Sequence, residues 1–166
     1  MLQNNSAVAT PAPAWEASVN GNTVTGTMSN NLTTFDQLVG LNYWNILGTQ
    51  MRVQVGSSPS AISHKAMYSF YINGGSSFTL NLSNENIVLG GTQPGIYLAH
   101  NGQKWTTSDV DNDTYASNCA AQYANHPWWY TSCWSGNFFA GGSYQDAAYW
   151  VGSGTEYYAH GSIWVR

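Results

Sequence analysis

The chain has 166 residues, a length that fits one domain, and only 7% of them are charged, against about a quarter in a typical soluble protein. Hydrophobic residues make up 43%, which excludes general disorder. The formal net charge is -4 and only four residues are Lys or Arg, so nucleic acid is excluded as a partner because too few cations can neutralise phosphates. No apolar run has the length of a membrane span, and no membrane insertion is expected.

Residues 1–13 are small, polar and rich in Pro and Ala, a composition typical of linkers, so they are predicted to form an arm. The remainder, 14–166, is predicted to be one domain. The first residues have neither the charged start nor the apolar stretch of a secretory signal peptide. Because the low-charge composition is typical of extracellular adhesive proteins, the chain is expected to be the C-terminal part of a longer secreted protein.

Short alternating segments follow in chain order and predict antiparallel strands. Residues 22–28 and 51–55 alternate between polar and apolar side chains. The apolar segments 67–72 and 78–82 are separated by an Asn-Gly-Gly turn signal, which predicts a β-hairpin. No long segment has helical periodicity, and only 118–123 is predicted to form a short helix.

The last third of the chain changes character, because Gly clusters interrupt every candidate strand in it. Six of the eight tryptophans lie there: Trp105, Trp128, Trp129, Trp134, Trp150 and Trp164. The region is predicted to be loop-rich, and loops often carry function. Core packing is the default interpretation of its aromatic residues, although Tyr and Trp are also favoured at recognition surfaces.

The chain has two cysteines, Cys119 and Cys133. A single pair at short spacing, with no Cys/His cluster, favours a disulfide over a zinc site. Such a disulfide contributes roughly 3 kcal/mol in the chain-entropy model. Two buried free thiols are the alternative.

Three of the eight carboxylates stand close together as Asp109, Asp111 and Asp113. Like charges this close repel one another unless a cation neutralises them, and hard oxygen ligands favour calcium over zinc or copper. A solvated acidic turn is the alternative. The loop is not an EF-hand, because Thr114 stands where that loop needs Gly and Ala120 where it needs Glu.

Two stretches of the last third resemble the fibrinogen C-terminal domain. The first, 100–120, carries His-Asn-Gly, then Asp-x-Asp-Asn-Asp, then Asn-Cys-Ala. The second, 128–133, begins with Trp-Trp and ends with Cys, and an Asn and a Gly pair follow it. Weaker similarity covers 37–44, 51–55 and 67–82, whereas the family's N-terminal subdomain has no counterpart. The implied fold is α+β and mostly β: an antiparallel sheet followed by a loop-rich, disulfide-stapled subdomain for calcium and ligand.

The resemblance also implies a calcium site. In the family, two aspartates and two backbone carbonyls bind Ca²⁺, and the matching positions are the carboxylates of Asp111 and Asp113 and the carbonyls of Tyr115 and Ser117. Asp109 matches the first Asp of the motif and is expected to support these ligands without binding the ion itself.

The family's ligand pocket lies beside this loop, around the second cysteine. Ficolins and tachylectins use it for acetyl groups of N-acetylated sugars, and fibrinogen uses it for a peptide N-terminus. The resemblance implies a cis peptide bond between Ser132 and Cys133, and Trp134 stands where the family usually has His. The ligand-binding residues expected here are Tyr123, Tyr130, Ser132, Cys133, Trp134, Phe139 and Tyr149.

These features predict a calcium-dependent, extracellular, lectin-like adhesin tip that binds acetylated glycans on a cell surface, assembled as a homotrimer. The alternatives are a peptide- or protein-binding fibrinogen-like module and a trimerising structural cap of a fibre. An enzyme is not expected, because the clustered carboxylates are assigned to calcium and no Gly-x-Ser-x-Gly elbow occurs. His64, His126 and His160 are interpreted as surface or hydrogen-bonded residues, and His100 as a structural residue.

Overall fold

The computed structural model describes residues 2–5, 37–38, 40–58, 60–91, 95–123, 125–133, 148–151, 155–158 and 160–166. The strands are β1 (Leu2–Asn5), β2 (Gln37–Leu38), β3 (Gln50–Ser58), β4 (Ala61–Asn73), β5 (Thr79–Leu89), β6 (Ala148–Val151), β7 (Thr155–Tyr158) and β8 (His160–Val165). The helices are short: a 3-10 turn (Leu41–Tyr43), α1 (Trp44–Leu47), α2 (Gly95–His100) and α3 (Cys119–Gln122). No helix among these residues is long and apolar enough to cross a membrane.

A six-stranded antiparallel sheet forms the centre of the fold, in the order β2-β1-β8-β3-β4-β5. Strands β3, β4 and β5 follow one another as a meander. Strand β8 lies between β1 and β3, far from both in sequence. Strands β6 and β7 pair separately as a two-stranded hairpin. The predicted mostly-β fold with few helices is therefore confirmed.

Alternation along the central strands decides which face of the sheet is buried. In β3, Met51, Val53 and Val55 are fully buried, and they pair with β4 residues on the same face. Side chains at alternate positions of a strand point to opposite faces, so Gln50 and Arg52 lie on the other face. The buried face is completed by Ala66, Tyr68, Phe70, Ile72, Leu80, Leu82 and Ile163.

The hairpin predicted from 67–72 and 78–82 is present, and its strands are longer than predicted. Strand β4 extends back to Ala61 and β5 extends on to Leu89. The turn after Asn73 includes Gly75 with a φ of 80°, a backbone conformation that favours glycine. Irregularities in the register near Lys65 and Met67 explain why simple alternation does not cover the whole length.

Four tryptophans pack together against the sheet and are fully buried: Trp44, Trp105, Trp128 and Trp129. Trp129 is at their centre, with ring centroids 4.4 Å from Trp105, 5.3 Å from Trp128 and 5.8 Å from Trp44. Its indole N–H donates to the carbonyl of Phe78 at 2.8 Å. The default interpretation of Trp128 and Trp129 as core residues is therefore confirmed.

Between α2 and β6 the structure describes residues 101–123 and 125–133, and of these α3 alone is helical and none lies in a strand of the sheets. Cys119 and Cys133 form a disulfide with their Cα atoms 4.9 Å apart, so the free-thiol alternative is wrong. The short helix predicted over 118–123 is present as α3.

One stretch differs from the expectations. Leu2–Asn5, assigned to the arm, pairs as β1 with β8 and β2, so the arm's first residues belong to the sheet. Four residues with one apolar side chain are too short to be recognised as a strand without their partner. The expected strand 22–28 and the boundary at residue 13 lie outside the described residues.

Candidate metal and ligand site

The acidic loop is built on the tryptophan core. Thr106 exchanges two backbone hydrogen bonds with Trp128, at 2.9 and 3.0 Å. The Asn112 amide donates to the carbonyl of Trp105 at 2.9 Å, and its backbone N–H donates to the Thr106 hydroxyl at 3.2 Å. Asn112 therefore anchors the loop to the tryptophan core. Its two neighbours in sequence, Asp111 and Asp113, are held near the core by this anchor.

Asp113 is the centre of the loop. Its Oδ1 accepts the backbone N–H of Tyr115 and its Oδ2 that of Cys119, both at 2.9 Å. The Oδ1 of Asp111 in turn accepts the N–H of Asp113 at 3.3 Å. Both carboxylates thus organise the backbone of the loop, and each oxygen retains lone pairs for another ligand.

The electrostatics of the loop favour a bound cation. Burial raises the pKa of Asp113 above its ordinary value, and the nearby charge of Asp111 raises it further. The hydrogen bonds from Cys119 and Tyr115 act in the opposite direction, but the pKa remains raised. A cation between the carboxylates would relieve both the repulsion and the desolvation.

The remaining expected ligands are backbone oxygens. Tyr115 and Ser117 lie in an exposed stretch without helix or strand. In the part of the chain that the structure describes, their carbonyl oxygens accept no hydrogen bond from the protein. Two carboxylates and two available carbonyls supply oxygen donors only, a chemistry that suits Ca²⁺ with water completing its coordination.

Other metals fit less well. Among the described residues no group of three or more His, Cys, Asp or Glu side chains is close enough to hold an ion. A nitrogen- or sulfur-based site of the zinc type is therefore not available there, and a metal at this loop must use backbone oxygens. Asp109 is exposed, and its carboxylate accepts the hydroxyl of Thr107 at 2.7 Å, within its own turn.

The loop is joined to the second cysteine in two ways. The N–H of Thr114 donates to the carbonyl of Thr131 at 3.0 Å, and the disulfide links Cys119 to Cys133. Cys119 is also the residue whose N–H binds Asp113. The acidic loop and the segment 131–133 are therefore joined by a hydrogen bond and a disulfide.

The peptide bond before Cys133 differs from the expectation. No peptide bond among the described residues is cis, so the implied cis bond between Ser132 and Cys133 is wrong for this structure. Cys133 instead has a φ of 69°, a left-handed conformation that costs roughly 1–2 kcal/mol for a residue with a side chain.

The expected ligand-binding residues fall into different positions. Tyr123 is half-buried and its ring stacks on that of Tyr130, 6.5 Å away. Ser132 is exposed, whereas Tyr130 is fully buried and its hydroxyl donates to the carbonyl of His126 at 2.9 Å. The Tyr130 hydroxyl is therefore already bonded within the protein. Tyr130 contributes by packing its ring against Tyr123 from the interior.

The side chains of three further expected ligand-binding residues are outside the part of the chain that the structure describes. Trp134 and Phe139 lie outside the described residues, and Tyr149 belongs to β6, of which the backbone alone is described. The predicted structural role of His100 is confirmed: it is buried, and its Nδ1 is 2.8 Å from the carbonyl of Trp129.

One residue of the site was missed. Asn118 precedes α3, where its Oδ1 accepts the N–H of Ala121 at 2.9 Å and its Nδ2 donates to the carbonyl of Thr107 at 2.8 Å. It therefore ties the disulfide-bearing helix to the turn that carries Asp109. An Asn before a short helix is a recognised N-cap signal, and the sequence contained it.

This chain is similar in sequence to a known protein family and to several known proteins. The family described as "Fibrinogen beta and gamma chains, C-terminal globular domain" matches residues 41–166, which include the acidic loop and both cysteines. The fibrinogen gamma chain of Xenopus laevis is 38% identical over 73 residues, covering 42% of this chain and 16% of that protein. Angiopoietin-related protein 2 of Mus musculus is 42% identical over 60 residues, covering 31% of this chain and 12% of that protein. The chain thus spans less than a fifth of the length of these two relatives.

Solved structures show the same fold. The fibrinogen-like globe domain of human ANGPTL2 matches 99% of this chain and 77% of its own, with a TM-score of 0.73 and 24% identity. A lamprey fibrin D-dimer complexed with the peptide Gly-His-Arg-Pro-amide matches 90% of this chain and 54% of its own, with a TM-score of 0.68 and 19% identity.

Proposed function

Because the chain belongs to the family of fibrinogen C-terminal globular domains, we propose that it is a non-enzymatic extracellular recognition module that uses calcium and binds acetylated glycans on a cell surface. The observation that carries this proposal is the connection between the acidic loop and the second cysteine. Asp113 binds the N–H of Cys119, and Cys119 is bonded to Cys133, beside the expected ligand.

Calcium would be held by the carboxylates of Asp111 and Asp113 and the carbonyls of Tyr115 and Ser117. It would supply positive charge to a loop whose carboxylates repel each other. The protein's own part is to fix the loop: Asn112 and Asn118 anchor it at both ends. The segment Thr131–Cys133 would then be held in one conformation for the ligand.

The ligand would meet Tyr123, Ser132 and the backbone N–H of Cys133. Tyr123 offers an aromatic face, and aromatic faces suit the apolar side of a sugar ring. The N–H of Cys133 would donate to the carbonyl of an acetyl group. Trp134, Phe139 and Tyr149 remain predicted contacts.

A peptide is the second candidate ligand. The similarity to a lamprey fibrin D-dimer that was solved with a peptide favours it, because the fold is shared. A peptide N-terminus carries a positive charge, and the chain has a net charge of -4. That charge would assist a cationic ligand rather than a neutral sugar.

Titration calorimetry with matched ligands distinguishes the two. N-acetylglucosamine is compared with glucosamine, and both with Gly-His-Arg-Pro-amide, each in calcium and in EDTA. We expect the acetylated sugar to bind in calcium alone and glucosamine to bind in neither condition. Tighter binding of the peptide would favour the second candidate, and equal binding of the two sugars would exclude the acetyl group as the feature recognised.

A further inference from the structure

The chain's few cations are concentrated on the face of the sheet opposite the core. Three of its four Lys and Arg residues, Arg52, Lys65 and Arg166, line one groove together with Gln50, Met67 and Trp164. The groove has a volume of about 290 Å³. Three cations in one place are unexpected in a chain with a net charge of -4.

The strand register explains the convergence. Arg52 of β3 lies directly opposite Met67 of β4 on one side and opposite Trp164 of β8 on the other. Residues opposite one another in antiparallel strands share a face, so the three side chains form a row across the sheet. Lys65 lies two residues from Met67 along β4 and so is on the same face, and Arg166 follows the end of β8.

Arg52 is positioned for an anion. Its guanidinium carbon lies 4.8 Å from the centroid of the Trp164 ring, a cation–π contact that holds the group in place. Its Nε is buried and has no hydrogen-bond partner in the protein. Its two terminal guanidinium nitrogens are not buried and have no hydrogen-bond partner within the described residues, so they are the donors that can reach a ligand in the groove.

The other two cations add to this arrangement. The Nε of Arg166 donates to Oε1 of Gln50 at 2.9 Å, which directs the end of that side chain toward the groove's rim. Burial lowers the pKa of Arg52, and the charge of Arg166 lowers it further. Within the described ranges no ion pair joins any of the three cations to a carboxylate, so their charges are available to an anion.

We propose that this groove is a second binding site, for a sulfate group carried by a saccharide. The three cations come from β3, from β4 and from the residue after β8, which suits a tetrahedral oxoanion, because its oxygens point in several directions. A planar carboxylate presents two oxygens in one plane and suits a single Arg fork better. The choice of sulfate over phosphate and of a saccharide as its carrier rests on the proposed extracellular glycan-binding function.

A peptide fits the groove less well. Strands β8, β3 and β4 are all interior strands of the sheet, so their backbone groups are already paired. An extended peptide usually binds by adding to a sheet edge, and no edge is available at this groove. A compact anionic group needs only the side chains.

The test is titration calorimetry of the intact chain with a sulfated heparin-derived disaccharide, in calcium and in EDTA. We expect binding in both conditions, since the groove does not involve the acidic loop. Its desulfated counterpart should not bind. Loss of binding in EDTA would assign the disaccharide to the calcium loop and would overturn a second site, whereas failure of calcium-dependent binding of N-acetylglucosamine would leave this result unaffected.

Variants test the residues. Arg52→Gln and Lys65→Gln should each weaken binding by about tenfold, the loss expected for one charge-assisted hydrogen bond. Lys104→Gln is the matched control: it removes the same charge from the fourth, exposed cation outside the groove and should change affinity by less than about twofold. Melting curves establish that each variant is folded, and Lys65→Gln keeps the test available if Arg52→Gln does not fold.

Three results would overturn the proposal. Equal weakening by Lys65→Gln and Lys104→Gln would mean that only the overall charge matters. Equal affinity for sodium sulfate and for the disaccharide would remove the saccharide from the assignment. Tighter binding of an Asp-rich peptide than of the sulfated disaccharide would assign the groove to a protein partner.

Discussion

Asp113 connects two parts of the candidate site, because one of its oxygens accepts a hydrogen bond from the loop and the other accepts one from the first residue of α3. A carboxylate used in this way has two effects that must be separated experimentally. It supports the backbone with or without a metal, and it is an expected calcium ligand. Asp111 is exposed and accepts one weaker hydrogen bond, so it is the better position for testing the metal alone.

Asp111→Asn should remove most of the stabilisation that calcium provides. Because calcium would bind the folded loop and not the unfolded chain, saturating calcium should raise the melting temperature of the unmodified protein by about 5 °C or more. The variant should show little or no rise. Asp109→Asn is the matched control and should keep the shift, since Asp109 bonds to Thr107 within its own turn.

The measurement is a thermal melt with calcium and with EDTA for the three proteins. A melting temperature that EDTA leaves unchanged in the unmodified protein would contradict the calcium assignment. Loss of the shift in Asp109→Asn alone would move the ligand role to that residue.

Tyr68 gives a pH-dependent prediction at the same scale. Burial raises its pKa above the ordinary value, and the charge and hydrogen bond of Glu85, 3.1 Å away, raise it further. In the unfolded chain the phenol ionises above about pH 10, whereas in the folded chain it stays protonated. The folded state then binds more protons, so the free energy of unfolding falls as the pH rises above that value.

Tyr68→Phe should therefore flatten this alkaline loss of stability. At neutral pH the variant should be destabilised by about 1 kcal/mol, because the bond to Glu85 is lost. Urea unfolding at about pH 9 and about pH 11 measures the difference. Tyr71→Phe, on the same strand but 55% exposed, is the control and should behave as the unmodified protein does. Identical pH dependence in all three proteins would contradict the role of Tyr68.

At the scale of elements, the short helix α3 depends on its N-cap residue, Asn118. Four residues are too few for a helix to be stable alone, so the cap and the disulfide must hold it. Asn118→Ala removes both the cap and the bond to Thr107. We expect a loss of about 0.5–2 kcal/mol in the free energy of unfolding, together with weaker calcium binding.

Urea unfolding and calcium titration of this variant check both effects. Asn86→Ala, at an exposed position of β5, is the matched control and should change neither quantity. Lower stability with unchanged calcium affinity would mean that α3 does not position the metal loop.

The sequence was sufficient for some of these elements and not for others. The hairpin of β4 and β5 was predictable because its turn signal and alternation are local, and the disulfide because two cysteines allow one pairing. Strands β1 and β8 were not predicted, since β1 has one apolar residue and β8 has consecutive buried residues without alternation. The cation groove could not be predicted either, because Arg52, Lys65 and Arg166 are far apart in sequence and are joined only by the strand order.

The φ of Cys133 shows the same limit at the site. The resemblance implied that Cys133 lies beside the acidic loop, as it does, but it also implied a cis peptide bond before Cys133, which the structure does not have. Local conformation of this kind depends on the neighbouring hydrogen bond from Thr114 to Thr131 and on the disulfide, neither of which is a property of the two residues alone.

At the scale of the whole molecule, the proposed glycan binding raises the question of assembly. A single site for one sugar binds weakly, and several sites on one particle raise avidity by about 10²–10⁴. We expect a homotrimer, because cyclic symmetry would direct equivalent sites toward one surface. Light scattering at tens of micromolar should give three times the single-chain mass of 18.1 kDa. A mass near that of one chain would contradict the prediction.

The position of β8 has a consequence for how the protein reaches this structure. The hydrogen bond between Arg166 and Gln50 closes a loop of 116 residues, and β8 must pair on both sides before β1 and β3 belong to one sheet. Loop closure over such distances is entropically slow, and folds dominated by distant contacts fold in milliseconds to seconds. During synthesis, β3, β4 and β5 can pair as they emerge, but one edge of β3 stays open until the last strand is made. That open edge, with its buried valines, is the surface at which an incompletely folded chain would aggregate.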